Sequence, residues 1–237
     1  MNFKINQQTI EIIRTTRKGS IGLKVEPNRI ALMVPKRMSN DTIASFLNNE
    51  QEWLQTQIND KKENMPKCLS LSSGNELLLF GEKILYKEDH HTDVAKMKTS
   101  FEESTLTVFC KQKRKLKHPE TAIMKEVRKF YSQQLEQVLA EKLADLAKII
   151  KVKPTEISIK NYKSRWGSCY PDGRIQFNWR LAMAPISVIE YVIIHELCHL
   201  IHPNHSKAYW AEVVKYCPNY SIEKSWLTEN GTTLMSL

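Results

Sequence analysis

Apolar positions alternate early in the chain: Ile21, Leu23 and Val25 are separated by small or polar residues, Pro27-Asn28 follows, and Ile30, Leu32 and Val34 alternate again. A period of two places every second side chain on one face, so residues 1–35 are expected to be β structure with a hairpin turning at Pro27-Asn28. The period then changes. Between residues 41 and 61 the apolar positions Ile43, Phe46, Leu47, Trp53, Leu54 and Ile58 recur at three and four. That spacing predicts one helix packed on the hairpin, with Ser39, Asn40 or Asp41 as its N-cap. Short apolar runs return at 77–80, 84–86 and 106–109, with Gly81-Glu82 as a turn between the first two.

Pro119 suits the first turn of a helix, where its missing N–H costs nothing. After it, Ile123, Val127, Phe130, Tyr131, Leu135, Val138, Leu139, Leu143 and Leu146 form one long stripe, before Pro154 forbids continuation. A boundary near residue 118 is expected, separating an N-terminal β-rich subdomain with one helix (1–117) from a second domain (118–237). In the second domain, strands at 156–161 and 174–178 flank the turn Pro171-Asp172-Gly173 and read as a hairpin. A helix from 186 to 201 and a last helix after His205 complete an α+β chain. No internal repeat or low-complexity segment is visible.

Composition adds little to the fold and more to the setting. With 41% hydrophobic and 26% charged residues in 237, the chain can bury a core. No run approaches the roughly 18 apolar residues of a membrane span, and the first twenty residues lack a secretory signal's apolar segment, so a cytoplasmic location is expected. The five cysteines are an odd number without a CxxC pair, which predicts free thiols, mostly buried. The net charge of +9 favours anionic partners without choosing among them. Its densest patch is Lys111, Lys113, Arg114, Lys115 and Lys117.

The chemistry is concentrated in His195-Glu196-Leu197-Cys198-His199. On a helix, residues i and i+4 stand one turn apart on the same face, so two imidazoles can hold one ion, with Glu196 beside the water it activates. His202 and His205 compete as third ligand. Continued helically, His202 would lie roughly 10 Å along the axis from His195, too far for zinc–nitrogen bonds of about 2 Å. Pro203 disfavours helical geometry at His202, so the chain turns and His205 is the expected ligand. Three protein ligands leave a position open for water, the pattern of a catalytic zinc site; another divalent ion is an alternative occupant. Cys198 faces away and reads as a packing residue.

These residues resemble the YgjP-like family of zincin-type metallopeptidases, related to SprT-like proteins. HELCHLIHPNHSKAYW, residues 195–210, is similar to the family's HELxHL and NHSxxFW segments. KSRWGSCYPDGRIQFNWRLAMAP, residues 163–185, is similar to its RWGSC, GRIxxNWRL and AP pattern. Trp226-Leu227 echoes a C-terminal WL. Tyr209 replaces the usual Phe, and His202 stands where the metzincin pattern has Gly. The resemblance implies a zincin-like catalytic domain of long helix, short antiparallel sheet, HExxH helix and C-terminal helix. It further implies His195, His199 and His205 as zinc ligands and Glu196 as catalytic acid/base.

The resemblance leaves the substrate open between a peptide and a nucleotide, because a YgjP-like protein has also been assigned UTP pyrophosphatase activity. Lys160, Lys163, Arg165, Arg174 and Arg180 face a single acid, Asp172, between residues 160 and 180. Guanidinium forks suit phosphate oxygens, making Arg165, Arg174 and Arg180 candidate substrate contacts. Trp166 and Trp179 read as structural, and Gly167 either admits a ligand closely or relieves a bulge. A third reading, nucleic-acid binding around a structural zinc, rests on net charge and the patch at 111–117. Oligomeric state is not encoded in any pattern.

Overall fold

A computed structural model describes residues 2–5, 8–16, 19–26, 29–63, 69–90, 94–110 and 118–237. The Pro27-Asn28 turn and the basic patch at 111–117 lie outside them. The chain divides into two compact units, Met1–Lys67 and Cys68–Leu237, and is α+β throughout. Among the described residues no helix is long and apolar enough to cross a membrane.

The first unit holds β1 (Asn2–Ile5), β2 (Gln8–Thr15), β3 (Gly22–Glu26) and β4 (Arg29–Pro35) in the order β1-β2-β4-β3. β3 and β4 form the expected antiparallel pair, with Leu23 opposite Leu32. The predicted helix is two: α1 (Asn40–Asn49) and α2 (Gln51–Glu63). Ser39 caps the first by accepting from the Thr42 N–H at 3.1 Å. The ladder does not break at Glu50, whose N–H reaches Phe46 and whose carbonyl accepts from Leu54. Apolar periodicity therefore runs through the junction unchanged. Ile43, Leu47, Leu54 and Ile58 are buried in one cluster with Ile10, Ile30, Leu32 and Val34, as the sheet-facing stripe requires.

The second unit starts with β5 (Glu76–Leu79), β6 (Glu82–Asp89), β7 (Lys98–Glu102) and β8 (Thr105–Phe109), in the order β5-β6-β8-β7. This repeats the connectivity of the first sheet, a correspondence invisible in the residues themselves. α3 (Pro119–Ile150) buries Ile123, Val127, Phe130, Tyr131, Leu135 and Val138 along its expected stripe. It stops before Pro154 is reached. Lys151 turns left-handed (φ 63°) and the Val152 N–H returns to the Ala147 carbonyl, closing the helix end.

The sequence boundary at 117/118 is not where the compact units separate. Leu77, Leu79, Tyr86, Leu106 and Val108 belong to the same core as α3 and the histidine-bearing helix. The Tyr131 hydroxyl on α3 donates to the Leu78 carbonyl at 2.8 Å. β5–β8 is thus the apolar face that α3 covers, and the two cannot be parted without exposing both.

The third sheet is also mixed where an antiparallel hairpin was predicted. β9 (Glu156–Lys160) runs parallel to β11 (Arg174–Asn178), and the antiparallel partner of β11 is the short β10 (Gly167–Cys169), giving the order β10-β11-β9. A 3-10 turn, Trp179–Met183, leads into α4 (Ile186–Cys198). The β5–β6 turn docks here: the Phe80 and Gly81 N–H groups donate to the Ala182 and Met183 carbonyls at 2.8 and 3.2 Å. Both turn residues have positive φ, and a Cβ on Gly81 would lie 2.9 Å from Pro185 Cγ. Beyond His205 lie two helices rather than one, α5 (Lys207–Tyr216) and α6 (Tyr220–Met235), because Pro218 cannot continue the first.

Candidate metal centre

The apolar run preceding His195 explains the position of α4: Ile189, Ile193, Leu197 and Cys198 are fully buried, so the face carrying His195 and His199 is fixed by the core. α4 ends at Cys198, three residues before the predicted stop. The Ile201 and His202 N–H groups both close onto the Cys198 carbonyl, tightening the chain into a turn that Pro203 prolongs. Ser206 then caps α5 by accepting from the Tyr209 N–H at 3.3 Å. His205, between turn and cap, comes back over α4.

The three predicted ligands converge. His205 Nε2 is 3.2 Å from His195 Nε2 and 3.2 Å from His199 Nε2. Three nitrogens each about 2.05 Å from a tetrahedral zinc would be roughly 3.3 Å apart, so these two separations fit a shared ion. The ring chemistry fits as well. His199 Nδ1–H donates to the His202 carbonyl at 3.1 Å, which directs its Nε2 lone pair to the common point. Burial, then the neighbouring His199 and His205, push His195 down to about 3, and burial lowers His199. Both shifts favour the neutral, coordinating form of His195 and His199.

His202 takes no place among these donors. Its carbonyl orients His199, and the Glu212 carboxyl is lowered chiefly by its hydrogen bond to Lys215, with His202 the smallest contributor.

Aromatic walls hold the rings. Tyr209 stacks on His199 (centroids 4.5 Å, 27°) and donates its hydroxyl to the His195 carbonyl at 3.0 Å. Trp210 stacks on His205 at 5.7 Å and, on its own flank, on Tyr220 at 5.0 Å. His195 Nδ1 is buried without a hydrogen-bond partner, so packing against Tyr191, Tyr209 and Trp210 sets that ring. The sequence had Tyr209 and Trp210 only as parts of a motif. Their positions four and five residues after His205, at the start of a capped helix, were the available signal.

Glu196, the next residue on the helix, lines the same cleft as the histidines and packs against β10. An added Cβ on Gly167 would lie 2.7 Å from Glu196 Cγ and 2.8 Å from Cδ, so the close approach that this glycine permits is that of a side chain of the protein itself. Gly167 is the space that Glu196 occupies. The Cys169 N–H donates to the carboxyl, and burial, opposed by Arg165 and that N–H, pushes Glu196 up to about 8. Gly167→Ala is expected to displace the carboxyl by about an ångström and cost roughly 10²-fold in activity. Metal content, measured on the purified variant, should not change. A fully active alanine variant would mean that the carboxyl position is not critical.

A cleft of about 370 Å³ opens over these groups, lined by Gly167, Ser168, Cys169 and Tyr170 on one side and by the three histidines and Glu196 on the other. β10 is an edge strand. Trp166 C=O accepts from Asn178 N–H and Tyr170 N–H donates to Arg174 C=O. By antiparallel alternation Ser168 pairs with β11, while the backbone groups of Gly167 and Cys169 face outward.

The predicted arginines do not line this cleft. Arg174 pairs with Asp172 at 2.7 Å and stacks over Tyr170. Arg180 donates to Asn161 Oδ1 and the Tyr162 carbonyl and lies 4.4 Å over the Trp179 ring. Only Arg165, exposed and over Tyr162, acts electrostatically on Glu196. Trp179 is buried, with its indole N–H on Asn161, and Trp166 packs on Gly231. Cys110, Cys169, Cys198 and Cys217 are free.

A family model described as the YgjP-like metallopeptidase domain matches residues 19–230. Comparisons with curated proteins and with solved structures returned no match.

Proposed function

The chain belongs to the YgjP-like metallopeptidase family, a metal-dependent hydrolase class, and from that premise we propose that it is a zinc peptidase of zincin-like architecture. His195, His199 and His205 hold the ion, and Glu196 is the general acid/base. The observation carrying this reading is the convergence of three imidazole nitrogens, two of the separations being 3.2 Å, beside a buried carboxyl at Glu196. Zinc there supplies Lewis acidity to the scissile carbonyl, acidifies water and, by its charge, favours the carboxylate form of Glu196.

Glu196 takes the proton from the attacking water and returns it to the leaving amine as the C–N bond breaks. Its placement against β10 keeps it near the nucleophile and out of bulk water. The Cys169 N–H is held by Glu196, and the other outward backbone groups of β10, at Gly167 and the Cys169 carbonyl, suit an extended polypeptide added to the sheet edge, which is the support for a peptide over a nucleotide.

A nucleotide pyrophosphatase is the second reading. It retains one favourable observation, the exposed Arg165 cation acting on Glu196, after Arg174 and Arg180 are accounted for by other partners. Screening the metal-loaded protein on unfolded polypeptides and on nucleoside triphosphates separates the two. Peptide-bond cleavage without pyrophosphate release is expected; pyrophosphate release lost in Arg165→Ala, with peptides untouched, would reverse the assignment. Binding of nucleic acid around a structural zinc has the least support, since an open three-histidine centre with a buried carboxyl is unnecessary for it.

A further inference from the structure

A second group of donors sits at the ends of the two central strands of the β5–β8 sheet. β6 and β8 are parallel, with Tyr86 beside Leu106 and Glu88 beside Val108, and the Cys110 N–H extends the pairing by donating to the Asp89 carbonyl at 2.7 Å. Side chains two apart share a face, so Glu88, His90 and Cys110 rise together. The Tyr86 hydroxyl holds Glu88 Oε1 at 2.8 Å, and Oε2 lies 3.0 Å from His90 Nε2. A carboxylate oxygen, an imidazole nitrogen and the Cys110 sulfur all fall within 4.8 Å of one another. None of the three residues lines the histidine cleft.

We propose that Glu88, His90 and Cys110 form a second metal site, for a divalent ion of the zinc class. The donor set decides the class: one sulfur, one nitrogen and one oxygen suit borderline ions such as Zn²⁺ or Co²⁺, whereas Mg²⁺ and Ca²⁺ require oxygens. Access is provided by a cavity of about 640 Å³ whose lining includes Glu88 and His90. On binding, the S–H bond breaks, its proton leaves to solvent, and the sulfur lone pair forms the metal bond. Tyr86 is then the outer hydrogen bond that fixes the carboxylate. An ion here fastens the ends of β6 and β8 together and stabilises the sheet that α3 covers.

Titration of the full chain with Co²⁺ tests the site, because a thiolate ligand gives a near-ultraviolet charge-transfer band that a three-histidine centre lacks. The band is expected in the native protein, should persist in His205→Ala, and should vanish in Cys110→Ser. His90→Gln, at an exposed position that leaves the fold intact, should weaken the binding that produces it by at least about tenfold. Absence of the band from the native protein, its survival in Cys110→Ser, or unchanged Co²⁺ affinity in His90→Gln would each overturn the proposal. A His–Glu ion pair with no metal role gives the first of these results.

Discussion

Glu196→Gln is expected to lower turnover by about 10³-fold, within the range for loss of a positioned general base, while metal content stays at the native level. The amide has the shape of the carboxyl and fits the same space beside Gly167, but it cannot accept the proton of the attacking water. The fold should tolerate it well. The Glu196 carboxyl is buried and its charged form disfavoured, so a neutral group there removes a desolvation cost. Turnover of the metal-loaded variant, with its metal content and unfolding temperature, checks all parts. A loss below tenfold with metal retained would remove Glu196 from the reaction.

His205→Ala should weaken zinc binding by more than the 10- to 100-fold typical of losing an outer-shell partner, because it removes one of three direct donors. His202→Ala should leave affinity close to native. His202 acts through its backbone carbonyl, which accepts from His199 Nδ1–H, and an alanine keeps that carbonyl. Competition with a chelator, followed by metal analysis of both variants, measures the difference. Zinc kept by the first and lost by the second would exchange their roles.

The gathering of His205 rather than His202 with His195 and His199 was legible because it depended on local geometry. Helical rise excluded His202, and Pro203 required a turn. The α3 stripe and the Ser39 cap were readable for the same reason. What escaped the sequence depended on partners distant along the chain. Nothing in residues 77–109 says that α3 covers their apolar face, so the boundary was drawn between a sheet and its own core. Nothing in Ile157 or Ile159 tells parallel from antiparallel pairing, so β9 was joined to β11 as a hairpin. The partners of Arg180, Asn161 and a backbone carbonyl, escaped the sequence because they carry no charge. Gly167 was recognised as a close-approach position, but its neighbour, Glu196, lies on another element.

The docking of the β5–β6 turn onto the Ala182 and Met183 carbonyls, with the Leu69 N–H bonded to Ser236 Oγ at 2.8 Å, bears on the order of assembly. The second unit is fastened between residues from its two ends, and such contacts close only after the intervening chain has been made. During synthesis α4 emerges when the residues that fasten it at the far end do not yet exist. The bond from Leu69 to Ser236 therefore joins parts of the second unit made before α4 to a part made after it, and the unit closes around α4 rather than growing outward from it.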